Sequence, residues 1–551
     1  MALPGSFITM SINDFFPGEL LLELFSRAVH DPSLIRLWSN PVHPPLRMML
    51  GITHVCRRWR YLALEHSTLW KGCVDMGRPT ECIKEILLRS GTQPLHLSFF
   101  TPTRPQYDPV IRFHYTTYRP APDVLENPYR ELILSRTRSL HAILPALSCD
   151  KAFNYFKLHL SQMKTISLQL DSWSAVLRDD GIFDDKEWMV RVLSLKRCSI
   201  RLQPKALPFL EELRIEYPSA HAFPDLNTWL DLLAGLPQLR IFELVDCFGA
   251  SDTEPSRASS DKKIHMAKLE KLILKTSEPF QQICAPLLNT LVIPPACALT
   301  LGIPILVSTS SYKALLSALS TRYNAYDNAL GDHLDLTIAG NAFAMQTRGL
   351  SAPAETFIYF YFAGGCRHTV CCDHGCTLTN AGLVFQTVLE AFRKPVSSIR
   401  WLTLRTYVHE DKQINPFFNL RLLRKFTDLR SIDLNVESIF GGFPPMDCQS
   451  TFSPGPSDPR MFWFPAAAHR ELVVSKVDFG EDTSLHTLCL ALMRHLKPQG
   501  RRWNPESRIQ TLSLRRCVGL RYWQLAKLEE MVGIKYGVRI KCVDCEVSDF
   551  F

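Results

Sequence analysis

Phe16-Pro-Gly-Glu-Leu-Leu-Leu-Glu-Leu-Phe25, resumed as Thr53-His-Val-Cys-Arg-Arg-Trp-Arg-Tyr-Leu-Ala63 and closed by Leu69-Trp70, decides how the chain is read. Pro17 suits the first turn of a helix, where a missing N–H costs nothing. Behind it Leu20, Leu21, Leu24, Phe25 and Ala28 make a wide apolar stripe on one helical face. Glu19 complements the helix dipole, and His30-Asp31-Pro32 ends the helix. A second helix is expected from Leu46 to Glu65. Val55, Trp59, Leu62 and Ala63 share one of its faces, and Arg57, Arg58 and Arg60 stand on others. This small segment also carries Phe15, Phe16, Phe25, Trp38, Trp59 and Trp70. So many large apolar groups on a small helical unit allow two readings: they fill a compact core, or they form a docking face.

Composition sets the frame around that stretch. With 551 residues, the chain is too long for one ordinary core, so two or more structural units are expected. Hydrophobic residues make up 46% and charged residues 21%, the balance of a soluble globular protein. The formal charge of +8 is mild at this length, and no long Lys/Arg run calls for nucleic acid. Met1-Ala-Leu-Pro has no positive segment before an apolar run, so no signal peptide is expected. The most apolar stretch, Leu299 to Val307, is too short to span a bilayer, so no membrane partner is expected. The 17 cysteines then read as reduced thiols, and the expected location is intracellular, cytoplasmic and/or nuclear.

The N-terminal stretch resembles an F-box. Phe16-Pro17-x-Glu19-Leu20-Leu21-x-Glu23-Leu24-Phe25 is similar to that family's opening Leu-Pro-x-Glu-Leu-Leu-x-x-Ile-Phe, with phenylalanine in place of leucine at its start. Val55-Cys56-Arg57-Arg58-Trp59-Arg60-x-Leu62-Ala63 is similar to its second helix, and Leu69-Trp70 to its closing Leu-Trp. The segment from Asp31 to Pro45 is longer and richer in proline than a compact F-box needs. The resemblance implies a three-helix module over 10–71. Phe16, Pro17, Leu20, Leu24, Val55, Cys56, Trp59, Leu62, Leu69 and Trp70 would form or back a face for a Skp-type adaptor and, through it, a cullin.

Beyond the module, 72–130 is read as a proline-rich connecting region, with a helix over Thr80 to Ser90 and a strand over Pro94 to Phe100. From there a repeat sets in. Pro208-Phe-Leu-Glu-Glu-Leu-Arg-Ile215 matches Pro237-Gln-Leu-Arg-Ile-Phe-Glu-Leu244 and Pro286-Leu-Leu-Asn-Thr-Leu-Val-Ile293. The core Leu-x-x-Leu-x-Leu recurs from Met163, Val190, Leu210, Leu239 and Leu269, at separations of 27, 20, 29 and 30 residues, and again from Ile399, Leu429 and Ile509. Each interval suits one strand plus a helix or turn. His333 to Ile338 and Thr356 to Phe362 also read as strands. Trp229 to Leu236, Lys313 to Leu319 and Leu383 to Phe392 read as spacer helices. Cys198, Cys247 and Cys517 each follow the last core leucine by three residues. The pattern resembles irregular leucine-rich repeats over 131–546, with loop insertions near 249–263, 441–460 and 497–508.

The expected fold class is therefore α/β: an N-terminal three-helix F-box followed by an irregular leucine-rich-repeat solenoid, a curved, mainly parallel sheet with outer helices. The resemblance implies a substrate-recognition subunit of an SCF-type ubiquitin ligase, whose repeats bind an unknown target protein. The alternative is a non-ligase repeat scaffold with a degenerate or repurposed F-box. No enzyme is expected, because no phosphate-binding glycine loop, His-Glu-x-x-His or Gly-x-Ser-x-Gly is present. Nor is a cofactor expected. Cys366-x-His-x-x-Cys-Cys-x-His-x-Cys376 fits no standard zinc spacing and is read as a cysteine-rich loop, so no metal is assigned. Cys542-x-x-Cys545 is read as strand-borne, with one thiol toward the core.

Overall fold

The computed structural model describes residues 16–30, 44–76, 78–100, 103–107, 114–118, 127–144, 162–170, 188–198, 202–217, 226–247, 263–276, 281–304, 310–324, 332–339, 342–348, 356–361, 388, 392, 399–407, 430–436, 471–475 and 509–548. The chain is mixed α/β, with mostly parallel strand pairing. It divides into two compact units at Gly249.

The first unit begins with α1 (Gly18–His30), α2 (Pro44–Val55), α3 (Arg57–Glu65) and α4 (Ser67–Trp70). The single helix expected over 46–65 is two helices. Cys56 is extended and caps α3, its Sγ accepting from Trp59 N at 3.5 Å. Breaking a helix leaves its last carbonyls without partners. Here Arg60 Nε donates to Thr53 O across the break at 2.8 Å. Then come α5 (Thr80–Ser90) and β1 (Leu95–Phe100), both at their expected places. Gly91 ends α5 at φ +54, a backbone state that suits glycine. An antiparallel pair, β2 (Thr103–Tyr107) and β3 (His114–Tyr118), precedes α6 (Arg130–Arg136).

The parallel series of this unit runs β1, β4 (Thr137–Leu144), β5 (Thr165–Leu170), β6 (Val192–Lys196), β7 (Glu212–Glu216) and β8 (Ile241–Val245). Register stacks like residues side by side: Leu140, Ile166, Leu193, Leu213 and Phe242 form one fully buried row. Ala142, Leu168, Leu195, Ile215 and Leu244 form the next. Each large side chain so buried contributes roughly 1.5–3 kcal/mol. The helix α7 (Leu226–Ala234) lies between β7 and β8 in sequence. Its Trp229 ring is 6.1 Å from Phe242.

Strand exits repeat one device. Arg197, Asp246, Arg516 and Asp544 hold positive φ, and the next residue is Cys198, Cys247, Cys517 or Cys545. Each thiol donates to a carbonyl of the preceding strand: Cys198 to Leu168 O at 3.6 Å, Cys247 to Ile215 O at 3.1 Å, Cys517 to Val474 O at 3.6 Å and Cys545 to Leu514 O at 3.3 Å. The thiol thus ties each strand exit back to the backbone of the preceding strand. In the C-terminal pair it is Cys545, not the exposed Cys542, that turns inward.

The second unit starts with β9 (Ile264–His265), β10 (Lys271–Lys275), α8 (Gln281–Thr290), β11 (Leu291–Val292), β12 (Ala298–Pro304) and α9 (Ser310–Asn324). One expected repeat is corrected here. Pro286 to Ile293 falls on α8 and β11, and β11 pairs only with β9 in a small side sheet. The sheet strand is β12, whose Leu299 and Leu301 are buried. Next come β13 (His333–Ala339), β14 (Ala342–Arg348) and β15 (Thr356–Tyr361), then β16 (Trp401–Tyr407), β17 (Ser431–Val436), β18 (Glu471–Ser475) and β19 (Thr511–Arg515). The unit ends with β20 (Leu520–Arg521), α10 (Tyr522–Leu528), β21 (Arg539–Val543) and β22 (Val547–Ser548). Its main strand order is β10-β12-β15-β14-β13-β16-β17-β18-β19-β21. β14 is antiparallel to both neighbours, and the remaining pairs are parallel. The mostly parallel pairing is compatible with a solenoid-like α/β fold. The spacer helix expected over 383–392 and the loops near 249–263, 441–460 and 497–508 lie mainly or wholly outside the described residues.

Candidate docking face on the N-terminal helices

The apolar stripe of α1 is wider than its core contact. Leu21, Phe25 and Val29, at i, i+4 and i+8, are buried, whereas Leu20 is 47% and Leu24 50% exposed. The same excess recurs on the following helices. Leu46, Met49 and Ile52 of α2 are buried, while Leu50 is 47% and Val55 57% exposed. The aromatic seam between α1 and α3 is closed by Phe25 and Trp59, with ring centroids 4.8 Å apart and planes at 58°, a favoured tilted geometry.

The module is tied together by side chains reaching backbone. Arg58 Nη2 donates to Phe16 O at 2.8 Å and fixes the entry of α1 against α3. Trp70 Nε1 donates to Ala63 O at 2.7 Å, and Arg89 of α5 lies 4.9 Å above the Trp70 ring. His30, at the end of α1, reaches Thr68 O through Nε2 at 3.2 Å. A Cβ on Gly72 would lie 2.9 Å from the His30 ring, so glycine makes room for it. Burial holds the His30 pKa below its ordinary value, against the opposing pull of the Thr68 carbonyl.

These contacts sort the ten residues singled out in the sequence. Pro17, Leu20, Leu24 and Val55 face solvent; Phe16, Cys56, Trp59 and Leu62 are half-buried; Leu69 and Trp70 are buried. The last two therefore support the helices rather than offer a contact surface. Leu50 and Tyr61 were not among the ten, yet they are 47% and 62% exposed on the same helices. Their signal was present as apolar residues off the buried stripe. Arg57, Arg58 and Arg60 are exposed, as expected, although Arg58 and Arg60 also brace the fold.

Nothing in this arrangement assembles a nucleophile, base and oxyanion site; it offers apolar contact area on a braced scaffold. The Cys366–Cys376 cluster lies outside the described residues, and among the described residues no His, Cys, Asp and Glu grouping could hold a metal ion. Among the described residues no helix is long and apolar enough to cross a membrane. Neither a scan of the chain against protein-family models nor a search of curated proteins finds a match.

Proposed function

We propose that the chain is the substrate-recognition subunit of an SCF-type ubiquitin ligase, its N-terminal helices an F-box holding a Skp-type adaptor and its strand repeats holding a target protein. The observation that carries this reading is the exposure of Leu20, Leu24 and Val55 on a module whose own core is already filled by Leu21, Phe25, Val29, Met49 and Ile52. Large apolar groups left in water beside a complete core favour a partner surface. The ordered F-box-like motifs name the partner. The repeats supply the second surface, since stacked strands present a long face that no single repeat could. Ubiquitin transfer falls to other subunits, and this chain contributes proximity by raising the effective concentration of target lysines near the ligase.

A pull-down with purified Skp-type adaptor tests the reading. The wild-type chain is expected to be captured, and Leu24→Asp and Leu20→Asp to be lost from the complex while their circular dichroism stays that of wild type. Absence of capture by the wild-type chain overturns it.

A further inference from the structure

We propose that the strand-entry edge of the first unit is a basic rung that binds an acidic, extended polypeptide segment. Arg138 is the second residue of β4, and Lys164, Arg191, Glu211 and Arg240 immediately precede β5 to β8 in turn. Backbone bonds stack these residues one on the next: Lys164 N to Arg138 O at 2.7 Å, Arg191 N to Lys164 O at 2.8 Å, Glu211 N to Arg191 O at 2.7 Å and Arg240 N to Glu211 O at 2.7 Å. Within this row of described residues, four cations stand beside one carboxylate.

That carboxylate is divided between two partners. Arg191 Nη1 lies 3.2 Å and Arg240 Nη1 3.8 Å from Glu211. Arg138 bonds only uncharged acceptors: Gln162 Oε1 at 3.1 Å and the carbonyls of Ser135 and Thr137. The Lys164 side chain is exposed. Arg138 and Lys164 thus meet no carboxylate among the described residues, and these two positions carry the positive charge of the edge. The sheet face beside it behaves differently, because its charges pair among themselves. Lys196 meets Glu216 at 3.0 Å, and Arg214 meets Glu212 at 3.0 Å and Glu243 at 4.0 Å.

Spacing decides the kind of ligand. Adjacent rungs are about 4.8 Å apart, well inside the Debye length of about 8 Å at physiological salt, so their fields add. Five rungs span about 19 Å, the reach of some six residues of extended chain. A segment of that length carrying several carboxylates lies across the strand ends with its charges over the rungs. Arginine offers carboxylates a planar fork of donors, and three of the four cations are arginine. The receptor reading enters only in taking this segment to be part of the target.

Fluorescence anisotropy of the full chain with a labelled octaglutamate peptide, at about 50 mM salt, tests the inference. Wild type is expected to bind, and the double variant Lys164→Gln/Arg191→Gln to bind at least about tenfold more weakly. Lys205→Gln, outside the row, is expected to match wild type. Glu211→Gln is expected to tighten binding about threefold, a gain that unfolding cannot mimic. The inference is overturned by no wild-type binding, by an equal loss in Lys205→Gln, or by no gain in Glu211→Gln. Tighter binding of an oligothymidylate of equal charge overturns the assignment to an acidic peptide. A failure here leaves adaptor capture untouched, and a failure of adaptor capture leaves the peptide result standing.

Discussion

The helices of residues 18–70 and the strands of residues 137–245 are both rich in large apolar side chains, yet they dispose of them differently. A strand has a period of two, so alternation sends every second residue inward; the β4 to β8 rows bury Leu, Ile and Phe almost completely and leave the alternate residues, polar and apolar, half-buried or exposed. A helix turns by 100° per residue, and a stripe as wide as that of α1 cannot face one neighbour along its whole width. Leu21 and Phe25 go in, and Leu20 and Leu24 stay out. Period-two patterning separates core from surface by itself. A wide helical stripe leaves part of its apolar surface exposed.

The largest test of that contrast is Phe242→Ala. It empties a fully buried site beside Trp229 and is expected to cost about 3–5 kcal/mol in urea unfolding. A cost under about 1 kcal/mol would show that the rows are not the core. Next comes the join between the regions. Arg136 Nη2 donates to Gln93 O at 2.8 Å and Ser90 Oγ at 3.0 Å, so it holds the end of α5 against the first strands. Arg136→Ala is expected to cost about 1.5–3 kcal/mol, because charged donors to buried acceptors are lost. Smaller again is Cys247→Ala, at about 1 kcal/mol, with Cys545→Ala costing less because Cys545 is only half-buried. Equal costs at the two sites would mean that burial does not set the strength of the thiol bond.

Acid separates the regions further. His30 titrates below its ordinary 6.5 when folded, so the unfolded chain takes up the proton first. Its contribution is therefore present above about pH 6.5 and lost as pH falls toward the lower folded value. The thermal midpoint of the helical region is expected to drop between pH 7 and about 5, and His30→Gln to flatten part of that slope. The smallest effect on stability is Leu24→Ala, expected within about 0.5 kcal/mol of wild type, against about 2–5 kcal/mol for the buried Leu69→Ala. Similar costs at the two leucines would erase the distinction between core and docking face.

Much of this was legible in the sequence, and the misses have physical causes. The strands at Met163, Val190, Leu210 and Leu239 were readable because leucine spacing and strand register coincide. The break at Cys56 was not, since no proline or glycine marks it and a thiol is an uncommon cap. The false repeat at Pro286 to Ile293 has the right apolar spacing, but helix α8 runs through Pro286 to Thr290 and leaves only two residues for a strand. β18 was missed because His469 stands where the repeat would place a leucine. β14 was missed because it breaks the strand-helix rhythm, although Gly340-Asn341 between Ala339 and Ala342 has the composition of a two-residue hairpin turn. On the candidate face, the sequence identified the helices but could not tell contact from support. Leu69-Trp70 and Leu20-Leu24 are alike as residues and differ only in what packs over them.

The strand exits carry a consequence for how this protein could change. Arg197, Tyr217, Asp246, Arg516 and Asp544 occupy the left-handed region at φ between 51 and 58, where an ordinary side chain costs roughly 1 kcal/mol. Glycine there would relieve most of that cost without touching any row of the core. Arg516 and Asp544 are exposed, whereas Arg197, Tyr217 and Asp246 are half-buried, so the chain holds latent stability most plainly at the two exposed positions, each one substitution away. A lineage or an engineer could draw on that headroom to offset a destabilising substitution elsewhere in the sheet, so other positions can vary while the chain stays folded.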